Sequence, residues 1–195
     1  MQIARALLAA IAAIMITFSG DHSAAVGLSV FSGFAMATAL VLLLSAWIVS
    51  PKGERWFPVV LGAIALVAGL VGSVAGWRTT EVYFGLVIVW AAVSGLWELI
   101  VGIVGRRTRA LWRDEVLIGA ITVALAVALL FVSPSYAAEY TIKETGDTGV
   151  LTGITIGVGL FGGYAAIIAV FLGIAAFSPR SGHRTTAEVA AEDAR

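Results

Sequence analysis

The 195-residue chain has no cysteine, two histidines and four prolines, and only 12% of its residues are charged. Without cysteine it has no structural disulfide, no thiolate metal site and no cysteine nucleophile. The two histidines, His22 and His183, fall in opposite expected compartments and are not expected to share a metal. The scarcity of charge excludes an ordinary soluble domain, which needs far more polar surface to face water. No GxSxG, HExxH or phosphate-binding-loop pattern occurs, so a non-enzymatic protein without cofactors is expected.

What the chain has instead is apolar sequence: 60% of its residues are hydrophobic and its mean hydropathy is +1.00. A membrane-spanning helix needs about 20 apolar residues. Six stretches qualify as candidates: 3–20, 24–49, 57–76, 82–104, 116–132 and 150–177. The expectation is an all-α membrane protein with six transmembrane helices in three tandem helical hairpins. The membrane domain covers 1–178, and a polar tail expected to be disordered covers 179–195. The first stretch, with Arg5 at its beginning and Ser23-Ala24-Ala25 after it, also fits a signal peptide. Removing it would leave an odd number of spans, so it is read as an uncleaved helix.

Loop charge sets orientation. Of the twelve Lys and Arg residues, all but Arg78 and Lys143 fall at the beginning of the first span, in the loops around Lys52 and Arg106, or in the tail. Asp21, Glu81, Glu139, Glu144 and Asp147 lie on the other side. Both termini are therefore expected to be cytoplasmic, in a bacterial-type plasma membrane. Trp56, Phe57, Trp112 and Phe177 are expected at the inner interface, and Trp77, Tyr83, Tyr136 and Tyr140 at the outer one. The basic residues Arg106, Arg107, Arg109 and Arg113 fix this orientation and are placed to meet anionic lipid headgroups, at about 1 kcal/mol per charge.

One acid interrupts the apolar fourth stretch. Positions three, four and seven away from Glu98 share its helix face. They are Ala91, Ser94, Gly95, Val101, Gly102 and Gly105, mostly small residues of the kind that let helices approach closely in lipid. A carboxylate facing lipid is costly, so Glu98 is expected inside the bundle. Its candidate partners are Ser94 on the same helix, Ser45 and Thr122 at similar depth, and Arg5 or Arg113 reaching inward. A proton-sensing or relay role and a purely structural one both remain open.

Helix-packing candidates are Gly95 and Gly102 beside Glu98, Gly72 with Gly76, and Gly149, Gly153 and Gly157 as overlapping GxxxG pairs. Such faces pack within a chain or between copies, so a homo-oligomer or a larger assembly is a candidate partner besides the lipid bilayer. Nucleic acid is not. A weak internal repeat joins Leu8-Ala9-Ala10-Ile11, Leu61-Gly62-Ala63-Ile64 and Ile118-Gly119-Ala120-Ile121. A second joins Phe31-Ser32-Gly33, Val93-Ser94-Gly95 and Phe161-Gly162-Gly163. The segment 133–148 is read as a polar connector, Asp21-His22 as a polar turn, and Asp114-Glu115 as acids complementing a helix start.

The run from Trp90 through Ser94-Gly95-Leu96-Trp97-Glu98 to Ile100, followed by Arg106-Arg107, resembles the HdeD-like family of acid-resistance membrane proteins. Gly62, Gly69, Gly119 and Pro134 extend the likeness. The segment 135–148 is longer than in that family, and the last helix is richer in glycine. The resemblance implies a six-helix protein linked to acid or envelope stress, by association rather than by an assigned chemistry. Two other readings stand beside it: a small proton-coupled transporter or channel using Glu98, and an accessory subunit of a larger membrane complex.

Overall fold

A computed structural model describes residues 2–51, 53–109, 111–141 and 148–177. The expected tail, together with Lys143, Glu144, Asp147 and His183, lies outside them. Six long helices run in order: α1 (Gln2–Thr17), α2 (Ala24–Ile48), α3 (Trp56–Ser73), α4 (Thr80–Val104), α5 (Trp112–Leu130) and α6 (Gly153–Phe177). Their starts follow local chemistry. Ser23 caps α2 by accepting from the Val26 amide, and Thr79 caps α4 by accepting from the Val82 amide. Asp21 accepts hydrogen bonds from the Ser23 amide and hydroxyl, which makes Asp21-His22 a turn that leads into that cap.

α2, α3, α4 and α6 are long and apolar enough to cross a membrane. α1 has 16 residues, a rise of about 24 Å against a hydrocarbon core of roughly 30 Å. α5 opens with Arg113, Asp114 and Glu115. Every one of the six nevertheless turns large apolar side chains outward, among them Leu7, Leu40, Val67, Ile100, Leu117 and Val170. The outer surface suits lipid, not water.

The helices form a ring in chain order, with α6 returning to α1. The expected hairpins touch, but the closest pairs are offset by one helix: α2 with α3, α4 with α5, and α1 with α6. Glycines account for this. A Cβ on Gly69 would fall 3.0 Å from the Met36 amide nitrogen of α2, and one on Gly119 would fall 2.5 Å from that of Leu99 on α4. On the third seam, a Cβ on Gly162 would meet Ile16 at 2.7 Å. Backbones that lack Cβ atoms at the crossing come closer and gain dispersion contact.

α2, α4 and α6 also meet at the centre. Their buried positions share one register: Phe31, Val87 and Phe161, then Phe34, Trp90 and Tyr164, then Ala35, Ala91 and Ala165. The aromatic-alanine pair is the mark of the repeat, and Val93 belongs one to two turns later than the sequence reading put it. Glu98 takes the position that Leu42 holds on α2 and Leu172 on α6, all three buried. On the odd helices the repeat Leu8, Leu61 and Ile118 sets one half-buried residue beside two buried ones. This aligns Arg5 with Pro58 and Glu115.

Three expectations are corrected here. The connector after α5 is not merely polar chain: Ala137–Thr141 (β1) and Thr148–Thr152 (β2) pair antiparallel, with Tyr140 opposite Gly149. The β-branched Val150 and Thr152 favour strand, so α6 begins only at Gly153 and Gly149 is not on it. Gly76 is exposed in a short 3-10 turn beyond the end of α3, with no atom near its absent Cβ, so it forms no packing pair with Gly72. Tyr83 is fully buried and its hydroxyl donates to the Gly157 carbonyl at 3.1 Å, so it is a core residue and not an interfacial anchor.

Candidate functional site

The Glu98 face of α4 is buried as its spacing implies. Ala91, Ser94, Gly95, Glu98, Val101, Gly102 and Gly105 are all enclosed. Gly95 and Gly102 lie on the α5 seam, where an added Cβ would approach the backbone nitrogens of Val123 and Val116 to 2.8 and 2.9 Å. α1 stands across the ring from α4, and Arg5 reaches over the interior to it. Arg5 Nη2 donates to Glu98 Oε1 at 3.0 Å, and the Glu98 side chain is only 4% exposed. A buried carboxylate needs such a partner, because desolvation is otherwise uncompensated.

Below the pair, toward the end that carries Arg106 and Gln2, lies a vestibule of about 210 Å³. Gln2, Arg5, Glu54, Glu98, Arg109 and Glu115 are among its walls. Arg109 grips both Glu115 oxygens, with Nη2 2.6 Å from Oε1 and Nε 3.0 Å from Oε2. It also lies 3.6 Å from Glu54 and stacks 4.6 Å over the Phe57 ring. Gln2 donates to Asp114 at 2.9 Å. Two clusters of fixed charge therefore surround one opening, each carboxylate beside a donor.

Above the pair is a cavity of about 20 Å³, lined by Thr38, Leu42, Trp90, Ser94, Thr122 and Tyr164 among others. The Thr122 and Tyr164 hydroxyls are 3.1 Å apart. Beyond it the bundle is shut by aromatic rings packed edge to face. Phe31 lies 5.2 Å from Trp90 and 5.6 Å from Phe161, and Phe34 lies 5.7 Å from Phe161. The polar interior thus opens toward the basic end and ends at an aromatic layer.

The structure sorts the sequence candidates. Arg5 is the cation that reaches Glu98. Arg113 does not: it is exposed, with its guanidinium over Trp112, because its place on the first turn of α5 points it away from the ring centre. Ser94 and Thr122 line the cavity with Glu98, each donating back to its own helix, to the carbonyls of Trp90 and Ile118. Ser45 is buried but donates to Leu42 and does not meet Glu98. Arg106 and Arg107 are exposed as headgroup candidates must be, whereas Arg109 turns inward and is spent on carboxylates. Gly72 packs on Ser32, Gly157 on Phe84, and Gly153 on the backbone at Ser133.

Sequence reading missed the Arg109 cluster. Its signal was the acid pair Asp114-Glu115 so soon after Arg109, read there only as helix-dipole complement. Among the described residues, no group of three or more His, Asp or Glu side chains is placed to hold a metal ion. No known family model, curated protein or solved structure matches the chain.

Proposed function

We propose that the chain is a six-pass plasma-membrane protein of HdeD-like type, with both termini cytoplasmic, that responds to acid or envelope stress through protonation of Glu98. The observation that carries this reading is a buried Arg5–Glu98 pair at the inner end of a vestibule whose walls include Gln2, Pro51, Glu54, Arg109 and Asp114, all from one end of the bundle. The basic loops surround that end, and positive loops stay in the cytoplasm. The acid is thus exposed to cytoplasmic protons and shielded from the outer face.

The response follows from simple charge arithmetic. While Glu98 is ionised it holds Arg5 across the ring. A proton on Glu98 removes the negative charge, leaving Arg5 facing Glu115 of α5 and, beyond it, Glu54 and Asp114 in the same vestibule. On α6, Tyr164 is the titratable neighbour in the cavity, while α2 presents Leu42 and Thr38 and α3 presents Leu61 and Ala65. Arg5 would then swing toward the vestibule acids, and α1 would loosen at its first turn. This is a two-state element biased by one proton. It requires no substrate, cofactor or chemistry on a covalent bond.

The test is an acid-survival assay of cells carrying the wild-type chain or Glu98→Gln, with the amount of protein in the membrane measured in parallel. Abundance near wild type with the pH-dependent phenotype lost supports the proposal. Normal abundance with an unchanged phenotype overturns it. Failure of Glu98→Gln to accumulate assigns the acid to folding and also overturns it. Proteoliposomes under a pH gradient separate this reading from proton-coupled transport: the aromatic layer predicts no flux.

A further inference from the structure

We infer that the cavity above Glu98 is a site for one water molecule, which accepts hydrogen bonds from Trp90 Nε1–H and from the Thr38 hydroxyl. The inference rests on those two atoms and stands whether or not the chain responds to acid. Thr38 and Trp90 both line the cavity, and each is more than nine-tenths buried. Among the described residues, Thr38 Oγ1 and Trp90 Nε1 are buried polar atoms without a hydrogen-bond partner in the chain.

Thr38 is the exception among its peers. Ser32, Ser45, Ser94 and Thr122 are the other buried serines and threonines of the helices, and each donates to a carbonyl one turn back, those of Leu28, Leu42, Trp90 and Ile118. That local bond is the usual way to satisfy a hydroxyl in an apolar helix. Ser94 occupies the same register as Thr38 and makes the bond. Thr38 leaves its hydroxyl for the cavity. Leaving both groups unsatisfied would be costly in a dry interior.

Size and charge identify the occupant. A cavity needs about 10–15 Å³ to hold one water, and this one offers about 20 Å³. An anion would face the Glu98 carboxylate, while a cation would face Arg5 and the Trp90 N–H. A neutral molecule with two lone pairs accepts from both orphan groups and has a hydrogen for Glu98, which lines the same cavity. Such a water ends the polar column that runs from the vestibule through Arg5 and Glu98 and stops beneath Phe31 and Phe161.

The experiment is a crystal structure of the full chain from a lipidic phase, fine enough to show ordered waters in the vestibule, for the wild type, Thr38→Val and Thr38→Ser. The proposal expects one peak within hydrogen-bond distance of Trp90 Nε1 and Thr38 Oγ1 in the wild type and in Thr38→Ser. In Thr38→Val its occupancy should fall several-fold. Vestibule waters without a cavity peak would overturn it, as would a peak unchanged in Thr38→Val. A bromide soak gives a further arm: anomalous signal in the cavity would assign an anion and overturn the water.

Discussion

Arg5 and Glu98 meet 3.0 Å apart although their helices stand on opposite sides of the ring. The rest of α1 packs chiefly on α6, where Ile16 meets Gly162, and Ala9, Ala12, Ala13 and Ile16 are all buried. Only the first turns depend on the ion pair. Glu98→Gln is therefore expected to speed amide hydrogen exchange in residues 5–8 by roughly tenfold or more, the equivalent of about 1.4 kcal/mol of local opening. Residues 9–16 and the α2–α3 pair should exchange as before.

The α4–α5 seam depends on glycine backbones in contact. A Cβ on Gly119 would lie 2.5 Å from the Leu99 nitrogen and 2.7 Å from the Gly95 carbonyl, both fixed main-chain atoms. Gly119→Ala should cost about 1–3 kcal/mol through forced separation of the helices. Gly163 on α6 has no heavy atom within 4 Å of its absent Cβ. Gly163→Ala should be neutral or slightly stabilising, since alanine is the better helix former. Thermal unfolding in a mild detergent compares the two.

Two neighbouring arginines should behave differently. Arg109 is shared between Glu115 and Glu54 and covers Phe57. Arg109→Gln leaves the largely buried Glu115 carboxylate without its cation, at a cost of roughly 3 kcal/mol. Arg106 is exposed, and Arg106→Gln should change stability by less than about 0.5 kcal/mol. Its effect should be on association with anionic vesicles.

Because the chain has no cysteine of its own, single cysteines report topology without background. The proposed six spans with cytoplasmic termini predict that Glu54→Cys and Arg107→Cys resist a membrane-impermeant maleimide in intact cells and react in inverted vesicles. Gly20→Cys and Ser135→Cys should do the opposite. Reaction of position 107 from outside would invert the scheme.

The burial of Glu98 was legible because a helix face is a short-range property: its neighbours at three and four residues are small, and the structure encloses all of them. That each apolar stretch holds a helix was legible from its own residues, although the ends of stretches such as the first, third and sixth were not. Which cation meets the acid depends on where α1 and α5 stand in the ring, so Arg5 and Arg113 could not be separated by spacing alone. The inward turn of Arg109 depends on Gly105, whose missing side chain leaves room for the Arg109 stem. Gly76 was misassigned because α3 ends at Ser73, where hydropathy shows no break. The even-helix repeat was present in the sequence as aromatic-alanine pairs, at Phe34-Ala35, Trp90-Ala91 and Tyr164-Ala165. It was aligned on glycines instead, and of these Gly95 lies on a seam while Gly33 and Gly163 face open space.

The measurement closest to the central claim is a double-mutant cycle on Arg5→Gln and Glu98→Gln, read as stability in lipid nanodiscs. Arg5→Gln leaves the buried Glu98 carboxylate without its cation and should cost about 3 kcal/mol or more, whereas Glu98→Gln leaves Arg5 free to turn to the vestibule acids and should cost about 1.5 kcal/mol. The double variant removes both charges and should be no less stable than the worse single one, giving a coupling of at least about 1.5 kcal/mol. Losses that simply add would show that the two side chains do not meet inside the ring and would contradict the account.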